Sequence, residues 1–321
     1  MITVKHLTKC YGDLKAVDDL SFEIGEGQVY GLLGPNGAGK STTMNIMAGC
    51  LSATEGEIAI GGHDIFEEPE QAKKLIGYLP EQPPLYMNET PLEYLRFVGE
   101  AKGLKGRELS QQIETVVQQV KIEAVKNCLI STLSKGYKQR VGIAQALLGN
   151  PRVIILDEPT SGLDPLQIVE IRELVRQLGR SHTVILSSHI LSEVQAICAK
   201  VLIIAKGKLA AYDAPENLEK LLLGSGEIFF RTEAEAEETD QILKESGAVK
   251  EWSLEEQEEG TVAVHAGTGQ EEIRSVSRQL FFAFAAKEKA ILEMTYRRAN
   301  LEDVFIELTE RDDSENEVTE E

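Results

Sequence analysis

The sequence predicts an α/β protein: a parallel-sheet core, followed by a smaller α+β domain. Three observations predict it. The run QVYGLLG (28–34) is an apolar strand that passes through a glycine-rich loop into the helical pattern STTMNIMAGCL (41–51). Strand, loop and helix in that order make the unit from which parallel sheets are built. The run VIIL (153–156) is a buried strand ending in Asp157 and Glu158, and ligands of α/β sheets collect at the C-terminal ends of strands. Composition then changes around Gly224–Gly226. Of the formal charge of −20, residues 1–224 carry −4 and residues 225–321 carry −16.

In chain order, ITVKHL (2–7) and AVDDLSFEI (16–24) alternate apolar and polar residues, which predicts strands of a small antiparallel sheet. EGEIAIG (55–61) is a further strand, and residues 91–149 read as mostly helical, with breaks at Gly103–Gly106 and near Asn127. After the strand in RVIILDEP (152–159) come a helix over 165–179, strand TVILSSH (183–189), a helix over 190–199, and strands VLIIAKG and KLAAYD. Beyond Gly226 the pattern is strand EIFFRTE, helix 234–246, strands near 249–254 and 261–266, helix 270–286, strand ILEMTYR and helix 300–310. That βαββαβ order predicts a split-βαβ, ferredoxin-like unit. The last residues, 311–321, are acidic and read as a disordered tail.

With 321 residues, 42% of them hydrophobic, the chain has room for two domains and a sizeable core. Its longest apolar stretches, Val201–Ala205 and Leu280–Ala286, fall far short of the roughly 18–20 residues a bilayer span needs. The N-terminus lacks the apolar core of a secretion signal. A cytoplasmic chain is expected, with any membrane association made through a partner. The acidic excess of residues 225–321 argues against nucleic acid as a partner of that part, since phosphates call for Lys and Arg, and no nucleic-acid partner is expected. Cys10, Cys50, Cys128 and Cys198 form no CxxC pair, so they are expected to be reduced, mostly buried thiols, with no zinc site.

Two segments carry chemistry. Gly34, Pro35, Asn36, Gly37, Ala38, Gly39, Lys40, Ser41 and Thr42 fit the pattern G-x-x-x-x-G-K-[ST]. Glycines let backbone N–H groups turn toward phosphate oxygens, Lys40 reaches the β- and γ-phosphates, and the Ser41 hydroxyl suits Mg²⁺. The positive end of the following helix adds attraction for the anion. At the end of VIIL, Asp157 suits Mg²⁺, directly or through water, and Glu158 points elsewhere, as a base or water-orienting group for hydrolysis would.

At this point the sequence resembles the ATP-binding cassette (ABC) ATPases, the motor subunits of ABC transporters, over residues 2–220. The resemblance rests on seven motifs in the family's order: Tyr11, the loop Gly34–Thr42, Gln82 in LPEQPPLY, LSKGYKQR (133–140), the Asp157–Glu158 pair, SGLD (161–164) and His189. It implies a P-loop NTPase fold of ABC type, with a RecA-like α/β core, an antiparallel β subdomain and a helical subdomain at about 83–150. The nucleotide-binding domain would be residues 1–222, and 226–310 an α+β accessory domain. The resemblance further implies that Tyr11 stacks on adenine and that Gln82 touches Mg²⁺ and senses the membrane partner. Ser134, Lys135, Gly136 and Tyr137 would bind the γ-phosphate held by a second subunit. Asp164 would cross the dimer interface, and Glu158 and His189 would be catalytic.

Lys135 and Tyr137 depart from the family's LSGGQ. Together with the stretch around Gln82 and LEDVFIELTE (301–310), they resemble the ABC-2-type exporter branch. The implied ligands are ATP and Mg²⁺; the implied partners are a second, expectedly identical, ATP-binding subunit and a separate permease. Leu301, Val304, Phe305 and Leu308 make an apolar stripe at helical spacing. It packs either on its own domain or on the partner ATPase. An importer, a soluble ribosome- or chromosome-linked ATPase and a non-hydrolysing regulatory cassette are the rival readings.

Overall fold

The computed structural model describes residues 1–221, 226–257, 261–268 and 273–297. The chain divides into one compact unit, Met1–Pro215, and a second that begins at Glu216.

The first unit opens with a hairpin of β1 (Ile2–Tyr11) and β2 (Leu14–Ile24), then β3 (Val29–Leu33) and α1 (Lys40–Met47). Next come β4 (Glu55–Ile60), the short β5 (His63–Asp64), α2 (Pro69–Lys74) and β6 (Ile76–Leu79). The helical stretch holds α3 (Pro91–Ala101), α4 (Gly106–Gln119), one 3-10 turn (Ile130–Thr132) and α5 (Lys135–Leu147). After it lie β7 (Val153–Leu156), α6 (Pro165–Leu178), β8 (Thr183–Ser188), α7 (Leu191–Ile197), β9 (Lys200–Ala205) and β10 (Lys208–Asp213). The helix α8 (Pro215–Leu221) leads onward.

Two sheets result. The antiparallel one has the order β2-β1-β4-β5. The other runs β10-β9-β3-β8-β7-β6, parallel from β9 to β6, with β10 added antiparallel at its edge. β7 and β8 are buried at every residue, as strands covered on both faces must be. Alternation along β7 sends Val153 and Ile155 into one core with Met44, Ile46 and Met47 of α1 and the apolar faces of β1, β2 and β4. The same alternation puts Asp157 on the α1 side.

The second unit holds β11 (Gly226–Thr232), α9 (Ala236–Ser246), β12 (Glu251–Gln257), β13 (Thr261–Thr268), α10 (Ile273–Ala286) and β14 (Ile291–Arg297). Its sheet has the order β12-β13-β11-β14, antiparallel throughout. That is the split-βαβ arrangement expected from the element order. Ile242 and Leu243 of α9 and Leu280 and Phe284 of α10 cover Ile228, Phe230 and Val264. Phe230 and Phe284 meet edge to face with centroids 5.2 Å apart, a favoured aromatic geometry. The expected helix 300–310, its apolar stripe and the acidic tail lie outside the described residues.

The structure departs from expectation in three places. β6 and α2 carry no sequence signal, because four and six residues are too short for periodicity to register. β1 runs four residues beyond the expected strand ITVKHL, to Tyr11, which pairs with Leu14 across the hairpin. The thiols are not mostly buried: Cys50 and Cys128 are exposed in turns, Cys10 is half-buried and Cys198 is buried. Among the described residues no helix is long and apolar enough to cross a membrane.

Candidate functional site

Gly39 adopts φ 102° at the N-cap of α1, a conformation that L side chains rarely take. A Cβ there would lie 2.3 Å from the Ala16 carbonyl oxygen. With no capping side chain on Gly39, helix geometry leaves the N–H groups of Lys40, Ser41 and Thr42 without an intrahelical acceptor. They face a cavity of about 360 Å³ lined by Asn36, Gly37, Gly39 and Lys40–Thr42 on one side and by Glu81, Glu158, Ser161 and His189 on the other. Ala16 completes the lining. Free donors at a helix start, reinforced by its dipole, make an anion seat.

Lys40 is almost fully buried, and its Nζ donates to the carbonyls of Gly34 (2.8 Å) and Pro35 (3.1 Å). Burial pulls its ammonium below the ordinary lysine pKa of 10.5, while the carboxylates of Glu158, Asp157 and Glu81 oppose that shift.

Asp157 is buried, and its Oδ1 accepts from Ser41 Oγ at 3.2 Å and from Ser187 Oγ at 2.6 Å. The Ser187 hydroxyl in turn accepts the Glu158 N–H at 2.7 Å. Ser187 is a site residue that sequence reasoning misses. Its signal lies in the register: Leu156 pairs with Leu186, which sets Asp157 beside Ser187. Glu158 has φ 46°, a left-handed turn that costs a non-glycine residue about 1–2 kcal/mol. The turn redirects the chain directly after β7. Its carboxylate Oε2 lies 3.0 Å from His189 Nδ1. A carboxylate only accepts, so Nδ1 carries the proton in that contact.

The oxygen-only pair of Ser41 and Asp157 suits a hard divalent cation that takes most of its remaining ligands from phosphate and water. Among the described residues no group of three or more His, Cys, Asp or Glu forms a metal cage. Gln82 is exposed and does not line the cavity; Glu81 does. Tyr11 is also outside the lining, about half exposed at the hairpin rim, with Lys9 Nζ 5.3 Å from its ring centroid.

The remaining expected residues gather elsewhere. Ser134 is the N-cap of α5 and accepts the Tyr137 N–H; Asp164 is the N-cap of α6 and accepts the Gln167 N–H at 2.9 Å. Ser134, Gly136, Tyr137 and Asp164 line a second cavity of about 340 Å³, together with Lys121 and Arg140. Arg140 is bonded to Glu170 (2.6 Å) and to the Val120 carbonyl (2.8 Å). Lys135 does not line this cavity. Its Nζ lies against Gly162, where an added Cβ would meet it at 2.2 Å. The phosphate loop and the α5 N-terminus thus line two different cavities.

A profile of the ABC transporter family matches residues 17–161. An uncharacterized ABC transporter ATP-binding protein of Methanocaldococcus jannaschii is 38% identical over 250 residues, covering 76% of this chain and 90% of its own. The bacitracin transport ATP-binding protein BcrA of Bacillus licheniformis is 33% identical over 96% of this chain and 97% of its own. Among solved structures, the dimeric post-hydrolysis state of an ATP-binding cassette bound to ADP and Pi aligns with TM-score 0.61 and 27% identity, covering 67% of this chain and 98% of that one.

Proposed function

The chain belongs to the ABC transporter family, and from that premise we propose that it binds and hydrolyses ATP to drive export through a separate permease. What supports this reading is that the phosphate loop and the α5 N-terminus line different cavities. A triphosphate seated on the first would then be completed by the second cavity of another copy. Two copies would close head to tail, each ATP lying between Gly34–Thr42 of one and Ser134–Tyr137 of the other. Residues 1–222 would form the cassette, with the helical subdomain at about 83–150, and 226–310 an accessory domain.

The chain's own residues supply the steps. The N–H groups of Lys40–Thr42 bind phosphate oxygens, and Lys40 Nζ exchanges its carbonyl partners for the β- and γ-phosphates. The Tyr11 ring stacks on the base, a contact tolerant of base identity. Ser41 and Asp157 would hold Mg²⁺, which would supply positive charge to offset that of the phosphates. Glu158 takes the proton of the attacking water. His189 keeps its Nδ1 proton on Glu158, so only the imidazolium form has a second proton, at Nε2, to donate to the γ-phosphate. Hydrolysis leaves ADP and an anionic phosphate between the halves, which part and reset the permease.

The permease would dock near Tyr86, whose exposed ring packs on Tyr94 and Phe97 (centroids 5.6 and 5.2 Å) beside the helices of 91–130. That contact would place the chain at the cytoplasmic face of the membrane. The export direction takes support from BcrA and from the linearmycin resistance ATP-binding protein LnrL of Bacillus subtilis, 32% identical over 97% of this chain. The test is Glu158→Gln. ATP binding should persist while turnover falls by about 10²–10⁴-fold; turnover at the wild-type rate would refute the role given to Glu158.

A further inference from the structure

A buried carboxylate lies behind the site and takes no part in the steps above. Glu193, in the first turn of α7, is 3% exposed. Its Oε2 accepts the Thr160 hydroxyl at 2.6 Å and the Ser188 hydroxyl at 3.0 Å. Those two donors sit on the two segments that carry the reacting groups. Thr160 is two residues after Glu158, in tight turns closed by Ser161 N–H to the Glu158 carbonyl (3.1 Å) and Leu163 N–H to the Thr160 carbonyl (3.2 Å). Ser188 immediately precedes His189, and its Oγ also accepts the Ile190 N–H at 2.9 Å.

The two serines ending β8 divide the labour by alternation. Ser187 bonds Asp157 on one side of the sheet, and Ser188 bonds Glu193 on the other. The second oxygen of Glu193 faces Arg172 Nη2 of α6 at 3.5 Å; among the described residues it accepts no hydrogen bond, and Arg172 Nε finds no acceptor. A buried charge left partly unsatisfied lowers stability. A brace serving stability alone has no need of it.

We propose that Glu193 is a positioning residue for hydrolysis, its carboxylate clamping Thr160 to Ser188 and so holding Glu158 and His189 at their 3.0 Å separation. The inference rests on the hydrolytic reading above. Glu158 sits in a left-handed turn that local backbone preference does not favour, so its placement depends on how the next residues, Pro159 and Thr160, are anchored. The clamp also links the 161–164 segment to His189, so that a displacement of the first is transmitted to the second.

The experiment measures steady-state ATPase kinetics and thermal unfolding of the full chain as wild type, Glu193→Ala, Glu193→Gln and the pair Thr160→Val with Ser188→Ala. Misplacing a reacting group by about 1 Å costs on the order of 10²-fold in rate. Glu193→Ala should therefore lower kcat by about 10-fold or more with KM for ATP within about threefold, a split that marks loss of transition-state interactions only. Glu193→Gln, which keeps one oxygen able to accept both hydroxyls, should regain most of that loss, and the donor pair should reproduce it. If Glu193→Ala does not fold, the donor pair decides. Folded variants with wild-type kcat, or a loss carried by KM alone, would overturn the proposal. Absence of ATP turnover in the wild type would instead strike the hydrolytic reading.

Discussion

The Ser41 hydroxyl lies 3.2 Å from the Asp157 carboxylate, joining residues 116 apart in the chain at the first turn of α1 and the end of β7. Under the proposed function these two oxygens would supply two ligands of the Mg²⁺ shell. The Ser187 hydroxyl donates to the same oxygen, Oδ1, at 2.6 Å.

Asp157→Asn should therefore raise the Mg²⁺ concentration for half-maximal ATPase by about 10–100-fold, the usual cost of disturbing a metal's supporting ligands. Mg²⁺ titration of turnover at saturating ATP measures it. An unchanged half-maximum would remove Asp157 from the cation site.

Gly34 tests how closely the phosphate loop packs on the sheet. A Cβ there would lie 2.3 Å from the Ile204 backbone oxygen of β9 and 3.1 Å from the Ala38 side chain. Backbone cannot yield cheaply, so Gly34→Ala should cost about 1–3 kcal/mol in unfolding free energy and weaken nucleotide binding. At Gly136 the added Cβ would meet the flexible tip of Gln167, so Gly136→Ala should cost clearly less. Denaturant unfolding of the two variants gives the comparison.

Cys198 sets an alkaline limit on stability. Burial alone pushes its thiol well above the ordinary value of 9.0. A raised folded pKa contributes stability that is complete below the unfolded pKa and is lost as pH climbs toward the folded one. The unfolded thiol ionises from about pH 8.5 upward while the native one does not, a loss of up to about 1.4 kcal/mol per pH unit. Cys198→Ala should flatten the fall in unfolding free energy between about pH 8.5 and 10 relative to wild type. In the native protein, Cys50 and Cys128 should react with a thiol reagent and Cys198 should not, as their exposures dictate.

Much of this arrangement is legible in the sequence because it is local. The glycines, Lys40 and Ser41 occupy one short loop, and the run Val153–Leu156 carries Asp157 and Glu158 on its end. Long-range relations are less legible. Ser187 acquires its role from the β7–β8 register. Glu193 reads as an ordinary helix residue until Thr160 and Ser188 are seen to converge on it. The family resemblance puts Gln82 at the cation, but its exposed position lies outside the cavity lining. It puts Lys135 on phosphate, yet Lys135 rests on Gly162, because the α5 N-terminus lies beside the 161–164 turn. The second unit is legible from element order alone, since four antiparallel strands and two helices in that order have few ways to cover one sheet face.

The proposed head-to-tail pairing joins the phosphate-loop cavity of one copy to the α5 cavity of another. Sedimentation of Glu158→Gln at saturating ATP and Mg²⁺ tests it directly. Dimers are expected with ATP, monomers with ADP, and loss of the ATP dimer when Ser134→Arg fills the second cavity. A particle that remains a single copy with ATP, in the presence of its permease as well, would contradict it.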